Sequence, residues 1–405
     1  MSRLALTRRN ALAMGGALTF LAASGRAAFA NVTSESKIVL VILRGAMDGL
    51  AAVVPYADPH YAALRGRIAI PAPGAAGGVL AISDGFGLHP RFSFLHGEWQ
   101  EGRLAVMHAA ASPYRDRSHF DGQDVLESGG DRVFALSDGW LNRALGLMPA
   151  AGKFEGLAVA RTIPLVLRGP ATVASWSPSI APAAHEDTIA RLMDLYAGDA
   201  MLGGALAQAL ETADVVGESG MAPGQEMMRG ARAYGAGAYA MVAKAAAKLI
   251  AAPGGPAAAV LSFDGWDTHV NQGGAEGQLA QRFTGLDSAL KAMRDELGST
   301  WSKTVVVVAT EFGRTVAVNG NNGTDHGTGG VAFVAGGAVK GGRMLGDWPG
   351  LAPAALHENR DLAPANDLRG LFASVLEQHW GLARAGLQSR VFPGAGLPFT
   401  DGLIG

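Results

Sequence analysis

The sequence predicts an α/β fold with a mostly parallel sheet sandwiched between helices. Two apolar runs rich in β-branched residues, Lys37–Leu43 and Thr304–Ala309, are typical of strands buried on both faces of a parallel sheet. Segments with helical spacing of apolar residues separate such runs along the chain. Charged side chains follow each run directly, and open α/β sheets bind ligands at the carboxyl ends of their strands. We therefore expect a functional site at that edge.

The chain begins with a predicted export signal. Arg8 and Arg9 precede an apolar run rich in Gly and Ala, residues 11–23, and Ala28-Phe29-Ala30 offers the small residues that a signal peptidase reads. The run is too short and too weakly hydrophobic for a membrane-spanning helix. The paired arginines resemble a twin-arginine signal. We expect residues 1–30 to be this signal, the twin-arginine translocase to be a partner during export, and the mature protein to be periplasmic or secreted.

Removal of the signal changes the charge balance. The whole chain has 33 basic and 35 acidic residues, and residues 1–30 hold four arginines and no acid, which leaves 29 basic against 35 acidic residues and a net charge of −6. An acidic chain argues against a nucleic-acid partner. The absence of cysteine excludes disulfides, thiolate metal ligands and a cysteine nucleophile. No later apolar run reaches spanning length, so we expect residues 31–405 to form a single domain without a stable membrane anchor.

Apolar runs and helical spacing predict the remaining elements. Further strands are predicted at Leu104–His108, Glu155–Ala160, Pro164–Leu167, Ala257–Phe263 and Val331–Ala335. Helices are predicted at Phe92–Gln100, Gln123–Glu127, Ala275–Leu297 and Asp367–Trp380. From about 186 to 252 the pattern is helical, which we interpret as a helical insert. Residues 55–90, rich in Pro and Gly, are expected to be surface loops.

Polar residues follow two of the predicted strands closely. Arg44 and Asp48 come after the first strand, and Asp48 suits a turn or helix cap about as well as a ligand role. Asp264, Asp267 and His269 follow the strand that ends at Phe263. Their oxygen and nitrogen donors suit a hard or borderline cation, although an Asx-type turn would use the same residues. We favour the ligand interpretation slightly.

A polar cluster surrounds Ser118, just before a predicted helix. A hydroxyl at a helix N-terminus lies near free backbone N–H groups and the positive end of the helix dipole, which favour anions. The commoner role of such a serine is to cap the helix. Arg115, Arg117 and His119 crowd the same few positions, which favours a functional role.

The residues between the last two predicted strands have the composition of an active site. Glu311 and Arg314 follow Thr304–Ala309 at once, and Asp325 and His326 lie just before Val331. The alternative is a solvated loop joining two strands. Apolar strands rarely end in so dense a set of titratable groups, so we favour the site.

Together with the signal, six motifs resemble those of an exported bacterial family described as domain of unknown function 1501. The motifs are Leu43–Leu50, Ser112-Pro113-Tyr114, Ser118–Asp121, Phe263–His269, Thr310–Thr315 and Asp325-His326-Gly327. The resemblance covers essentially the whole chain. The family in turn is similar to the alkaline phosphatase and sulfatase superfamily. Members of that superfamily have an α/β sheet between helices and hydrolyse or transfer phosphate or sulfate esters, typically with metal ions and a Ser, Thr or modified Cys nucleophile.

This resemblance implies roles for particular residues. It implies Ser118 as nucleophile, supported by His119, with Arg44 and Arg314 holding the substrate anion. The implied metal ligands and acid or base groups are Asp48, Asp264, Asp267, His269, Glu311 and His326. The chain departs from the superfamily at three places. Arg44 stands where the first metal aspartate is expected, and Phe312 stands where a histidine is expected. The Asp-x-x-x-His metal motif of the superfamily is similar to Asp264–His269 with the spacing off by one, and Asp267 is the alternative aspartate.

Two function classes follow from these residues. The first is an exported hydrolase of phosphate or sulfate esters that uses a divalent ion such as Zn, Mn, Mg or Ca and acts on a small-molecule or saccharide anionic ester. The second is a non-catalytic binding or assembly protein of the cell envelope on a scaffold that has lost its metals. Arg44 and Phe312 at ligand positions favour the second class.

Overall fold

A computed structural model describes residues 35–149, 154–177, 186–196, 198–199, 201–207, 209–210 and 236–405. The expected signal, residues 1–30, lies outside the described residues, as do residues 211–235 of the expected insert. The strands are β1 (Lys37–Arg44), β2 (Val53–Val54), β3 (Leu80–Ser83), β4 (Phe86–Leu88), β5 (Leu104–Ala111), β6 (Gly156–Val159), β7 (Val173–Trp176), β8 (Ala258–Asp264), β9 (Thr304–Ala309), β10 (Gly330–Ala335), β11 (Arg343–Leu345) and β12 (Asn366–Asp367). The helices are α1 (Gly49–Ala52), α2 (Tyr61–Arg65), α3 (Ser93–Gln100), α4 (His119–Ser128), α5 (Trp140–Leu145), α6 (Glu186–Tyr196), α7 (Ala236–Ala251), α8 (Gln278–Leu297), α9 (Leu368–Trp380) and α10 (Arg384–Gly386).

Within the described residues, the main sheet has nine strands and is mostly parallel. Its order is β11-β5-β10-β9-β1-β8-β6-β7, and β12 also pairs with β5. Strand β10 runs antiparallel to both of its neighbours, β5 and β9, whereas the other pairs are parallel. The expected class, an α/β fold with a mostly parallel sheet, is confirmed. Because β9 and β10 are antiparallel, the polar residues 310–329 between them return along the carboxyl edge of β9.

Alternation along β1 gives the sheet two apolar faces. Successive strand residues point to opposite faces, and β1 divides accordingly between two separate core clusters, with Val39, Val41 and Leu43 in one and Ile38, Leu40 and Ile42 in the other. The first cluster includes Phe283 of α8, and the second includes Phe372 of α9. Helices therefore cover both faces of the sheet, which is why its central strands carry continuous apolar runs.

Two local predictions were wrong. Leu165–Leu167 forms a 3₁₀ turn rather than a strand, with the Leu167 N–H donating to the Pro164 carbonyl at 3.0 Å. Within the region expected to be loops, β3 and β4 pair as antiparallel strands, and β4 also pairs with β2, which lies just before that region. The pair Asp84-Gly85 between β3 and β4 is a hairpin signal that the high Pro and Gly content of the region obscured.

Most of the described residues of the expected insert are helical. They comprise α6, residues 201–207 and 209–210, and α7. Among the described residues, no helix is both long and apolar enough to cross a membrane.

Candidate metal centre

The ends of the central strands bring the site segments together. β1 lies between β8 and β9, and Arg44 at its carboxyl end is in register with Asp264 of β8. The next residue, Gly45, has φ +116°, and a Cβ atom there would lie 2.6 Å from the backbone N of Asp267. Its N–H donates to Glu311 Oε1 at 2.8 Å. Only glycine allows this close approach of the loops that follow β1, β8 and β9.

Three side chains form a triad that could hold a metal ion. The candidate ligand atoms of His119, Asp267 and His326 all lie within 4.8 Å of one another. His119 is the first residue of α4, Asp267 lies just beyond β8, and His326 lies between β9 and β10. Asp267 Oδ2 is 3.4 Å from His119 Nε2, and Asp267 Oδ1 is 3.2 Å from His326 Nε2.

A third imidazole lies beside the triad. His269 Nε2 is 2.9 Å from Asp267 Oδ1 and 3.0 Å from His326 Nε2. Three imidazoles therefore surround one carboxylate. These four side chains are 24–41% exposed, so the group faces solvent at the carboxyl edge of the sheet.

The second nitrogen of every one of these rings is held by an acceptor. The three contacts are His119 Nδ1 to Glu311 Oε1 at 2.8 Å, His269 Nδ1 to Asp325 Oδ1 at 3.1 Å, and His326 Nδ1 to the Arg117 carbonyl at 2.8 Å. Carboxylates and carbonyls only accept, so each Nδ1 can donate its proton to this partner, and a neutral ring in that tautomer offers an Nε2 lone pair. Histidines that bind metals usually have such a partner on their second nitrogen. The Nε2 of His119 is buried and has no hydrogen-bond partner in the described part of the chain.

A buried carboxylate sets the electrostatics on the α4 side. Burial raises the pKa of Glu311, but hydrogen bonds from His119, from the Gly45 N–H and from Thr310 together hold that pKa below its ordinary value. In return, the hydrogen bond to Glu311 raises the pKa of His119. His119 also stacks on Phe312, with ring centroids 5.0 Å apart at an interplanar angle of 21°. Packing and hydrogen bonding therefore fix the orientation of this ring.

An arginine sets the electrostatics on the opposite side. Arg314 is buried, and its Nη1 donates to Asp267 Oδ1 at 2.5 Å while its Nε donates to Thr324 Oγ1 at 3.1 Å. Burial raises the pKa of Asp267, but the hydrogen bond and charge of Arg314 bring that pKa below its ordinary value. Burial lowers the pKa of His326, which favours its neutral, metal-binding form. Arg314 therefore binds the Asp267 carboxylate of the candidate metal centre, whereas we expected it to hold a substrate anion.

Asp48, an expected ligand, lies apart from this group. It caps α1, because its Oδ1 accepts the N–H groups of Leu50 and Ala51 at 3.1 and 3.3 Å. Its Oδ2 pairs with the buried Arg65 and accepts from Gln272 Nε2 at 2.6 Å. All of its acceptor positions are thus engaged inside the protein. These contacts agree with the helix-cap interpretation of Asp48.

Two further expected residues also have other environments. The Asp264 side chain is exposed at the end of β8, and the Asp264 carbonyl accepts the Tyr239 hydroxyl at 2.6 Å. Arg44 donates to Gln123 Oε1 at 2.5 Å and to Glu127 Oε1 at 2.6 Å, both on α4. Of the metal ligands expected from the sequence, Asp267, His269 and His326 come together, and His119, expected to be catalytic, joins them.

Ser118 occupies the N-cap position of α4, immediately before His119. Its side chain makes no capping hydrogen bond, and its N–H donates to the Tyr114 hydroxyl at 3.0 Å. The residue is half-buried. Its place in the chain is that of an N-cap, but its hydroxyl is not used in the way that the capping alternative requires.

Two contributors to the site were missed in the sequence, and a third, Asp325, was placed in the site without a role. Asp325 holds His269. Gln123, which donates to Glu311 Oε1 at 3.4 Å, lies four residues after His119 on the same helix face. Arg117 acts through its backbone carbonyl and adopts φ +62°, and no side-chain pattern reports such a role.

The fold and this site define an α/β protein with a candidate metal centre of nitrogen and oxygen ligands at the carboxyl edge of its sheet. A family model described as "Protein of unknown function (DUF1501)" matches residues 35–392, and the chain belongs to that family. No curated protein matches the chain.

Proposed function

We propose that the protein binds a divalent metal ion through His119, Asp267, His269 and His326 and uses it to hydrolyse phosphate or sulfate esters. One observation carries the metal proposal: three Nε2 atoms surround one carboxylate, while every Nδ1 is held by its own acceptor. Imidazole with carboxylate suits Zn²⁺ and similar ions, and the absence of thiolate makes a soft ion such as Cu⁺ a poor fit.

The exposure of the ligands supports a catalytic rather than a structural metal. Structural sites are closed, whereas catalytic sites keep a position for water or substrate. The four side chains face solvent at the sheet edge where α/β proteins bind ligands. A bound divalent ion would polarise an ester oxygen and lower the pKa of a bound water.

The residues of the chain itself would have separate tasks. Glu311 orients His119, and Arg314 keeps Asp267 ionised. Ser118 is the proposed nucleophile, at the start of a ten-residue helix whose free N–H groups favour the anion. Its oxygen would attack phosphorus or sulfur with loss of the hydroxyl proton, and the bond to the alcohol would break as that alcohol takes up a proton. Water would then cleave the serine ester and release phosphate or sulfate.

We also propose that the family is a distant branch of the alkaline phosphatase and sulfatase superfamily and that the protein is exported. A mostly parallel sheet between two helical layers, with the candidate metal centre at its carboxyl edge, supports the first proposal. The arginine pair and cleavage motif in residues 1–30 support the second.

Metal content and turnover of variants test the proposed function. Protein loaded with Zn²⁺ or Mn²⁺ should retain about one ion per chain by plasma mass spectrometry and should turn over 4-nitrophenyl phosphate or sulfate. His326→Ala should lose the ion, whereas Ser118→Ala should keep it and lose turnover by several orders of magnitude. His357→Ala is a matched control, because His357 lies outside the triad. Equal metal content in His326→Ala and wild type would rule out the site.

The second candidate function is a non-catalytic binding or assembly protein of the envelope. Both arginines expected to hold the ester anion are engaged with internal partners, Arg314 with Asp267 and Arg44 with Glu127. Metal-loaded wild type that hydrolyses neither ester would favour this candidate.

A further inference from the structure

Exposed apolar side chains accompany the ligands of the candidate metal centre. In residues 35–149, 154–177 and 236–405, the large apolar side chains that are exposed are Phe120 at 87%, Phe134 at 79% and Val270 at 51%. Isolated exposed apolar residues are normal on a protein surface. Here, however, Phe120 directly follows His119, and Val270 directly follows His269.

Phe134 is fixed on the same side of α4 as Phe120. Its N–H donates to Asp124 Oδ1 at 2.7 Å, and Asp124 lies four residues after Phe120, on the same helix face. The preceding residue, Val133, packs inward against a small apolar cluster that includes Phe312, the residue on which His119 stacks. The segment is therefore anchored on both sides of its backbone, and Phe134 projects outward from it.

The backbone of Phe134 adopts a conformation that bulky residues avoid. Its φ is +55°, in the left-handed region where a bulky residue is a genuine outlier. Such conformations persist only where the surrounding structure imposes them, and they concentrate at functional sites. An exposed aromatic side chain that is held in a strained backbone conformation is therefore a candidate for a functional role.

We infer that the organic group of the substrate is apolar, an aryl or alkyl group that packs on Phe120, Phe134 and Val270 while the anionic ester group lies at the metal centre. This inference rests on the proposed function and narrows its substrate class. Two of the three apolar residues are joined by a peptide bond to candidate ligands, so exposed apolar side chains begin one residue away from the metal centre. The hydroxyl groups of a saccharide would find no hydrogen-bond partner on these three side chains.

Binding of phosphonates tests the inference without requiring turnover. Phenylphosphonate and methylphosphonate are titrated into metal-loaded wild type by calorimetry. Burial of a phenyl ring should make phenylphosphonate bind about tenfold to a hundredfold more tightly. Phe120→Ala combined with Phe134→Ala should reduce this preference to about threefold or less without loss of metal. Leu195→Ala, which truncates a 72% exposed side chain on α6, is the matched control and should keep the preference.

The outcomes separate this inference from the proposed function. Equal affinity for both phosphonates in the wild type, or a preference that survives in the double variant, would overturn the inference. A phenyl preference in a protein that turns over no ester would support the inference and contradict hydrolysis. Sedimentation velocity gives a third test: a wild-type dimer that dissociates on Phe120→Ala would show that the surface joins two copies of the chain, against the inference.

Discussion

The Nε2 atom of His269 lies 3.0 Å from the Nε2 atom of His326. Both rings commit the Nδ1 proton to an acceptor, so both Nε2 atoms present lone pairs when the rings are neutral. Two lone pairs at this distance repel unless a proton or a cation lies between them. Two imidazoles on one tetrahedral Zn²⁺, each with a Zn–N distance of about 2.0–2.1 Å, place their nitrogens about 3.3 Å apart. The observed separation is about 0.3 Å shorter, so a small movement of the two rings would give them the spacing of two ligands on one ion.

The first prediction concerns His269, which lies beside the triad. His269→Ala should weaken Zn²⁺ affinity at least about tenfold, because a directly bound imidazole is worth no less than an outer partner of a ligand. Competition with a chromophoric chelator measures the affinity. His60→Ala removes an exposed imidazole on the surface and should leave it unchanged. Unchanged affinity in His269→Ala would exclude His269 from the ligands.

The second prediction concerns Glu311, which is buried and touches His119 rather than the ion. Glu311→Gln keeps the shape but removes the charge that orients the ring and raises its basicity. Metal affinity should fall about tenfold to a hundredfold, the range found for such outer partners. Glu276→Gln, which removes an exposed pair with Arg91, is the control. If both variants bind metal like wild type, Glu311 does not support the site.

Much of the sheet and part of the site could be predicted from the sequence. The central strands are buried on both faces, so β1 and β9 contain apolar runs that can be recognised from the local sequence alone. Asp267 and His269 were found because polar residues shortly after such a run lie at the sheet edge, and His326 was found because it lies just before the next apolar run. The direction of β10 was not predictable in this way, since an apolar run has the same pattern in parallel and antiparallel pairing.

Other assignments depended on partners distant in sequence. Asp48 before Gly49-Leu50 fits a ligand and a cap equally well, and its contacts depend on Arg65 and Gln272. Arg314 has the sequence environment of an anion-binding residue, but burial directs it to Asp267. In both cases the role of the side chain depends on which charged groups are buried together, and the spacing of residues in the sequence does not show this.

The third prediction concerns export. Replacing Arg8 and Arg9 by Lys should leave the precursor uncleaved in the cytoplasm, because the twin-arginine pathway is predicted to read that pair. Fractionation followed by immunoblotting measures the distribution of precursor and mature protein. The matched control is Arg3→Lys, which changes an arginine outside the pair. Normal periplasmic yield of the double variant would contradict the predicted signal.

The fourth prediction concerns the buried pair of Asp48 and Arg65. Asp48→Asn keeps a capping oxygen but leaves the guanidinium of Arg65 buried without its counter-charge. Breaking a buried pair in this way typically costs about 3–5 kcal/mol of the free energy of unfolding, measured by urea denaturation. Metal content should not change, since Asp48 lies apart from the triad. Glu35→Gln, which removes an exposed pair with Lys303, should have little effect on stability. Loss of metal from a folded Asp48→Asn would instead return Asp48 to the site.

The last prediction concerns the dependence of stability on pH and rests on two buried histidines away from the triad. Burial lowers the pKa of His108 to about 4 and that of His89 to about 4, from an ordinary value of 6.5. Each ring is neutral in the folded protein: His108 Nε2 donates to the Val53 carbonyl at 2.8 Å, and its Nδ1 accepts the Ala109 N–H at 3.0 Å. A histidine with a lowered folded pKa binds its proton more readily in the unfolded chain. Its contribution to stability is therefore complete above pH 6.5 and is lost as the pH falls towards 4.

The expected loss from each ring is about 3 kcal/mol between pH 6.5 and pH 4. Urea denaturation of metal-free protein across this range should show the free energy of unfolding falling steeply with pH. His108→Gln should be less stable at pH 7, because it loses a well-packed ring. Its free energy of unfolding should nevertheless fall less steeply towards pH 4, because unfolding of the variant takes up about one proton fewer than unfolding of the wild type. His60→Gln, at an exposed position, should reproduce the wild-type slope. A His108→Gln slope equal to that of the wild type would mean that His108 is not held neutral by its burial.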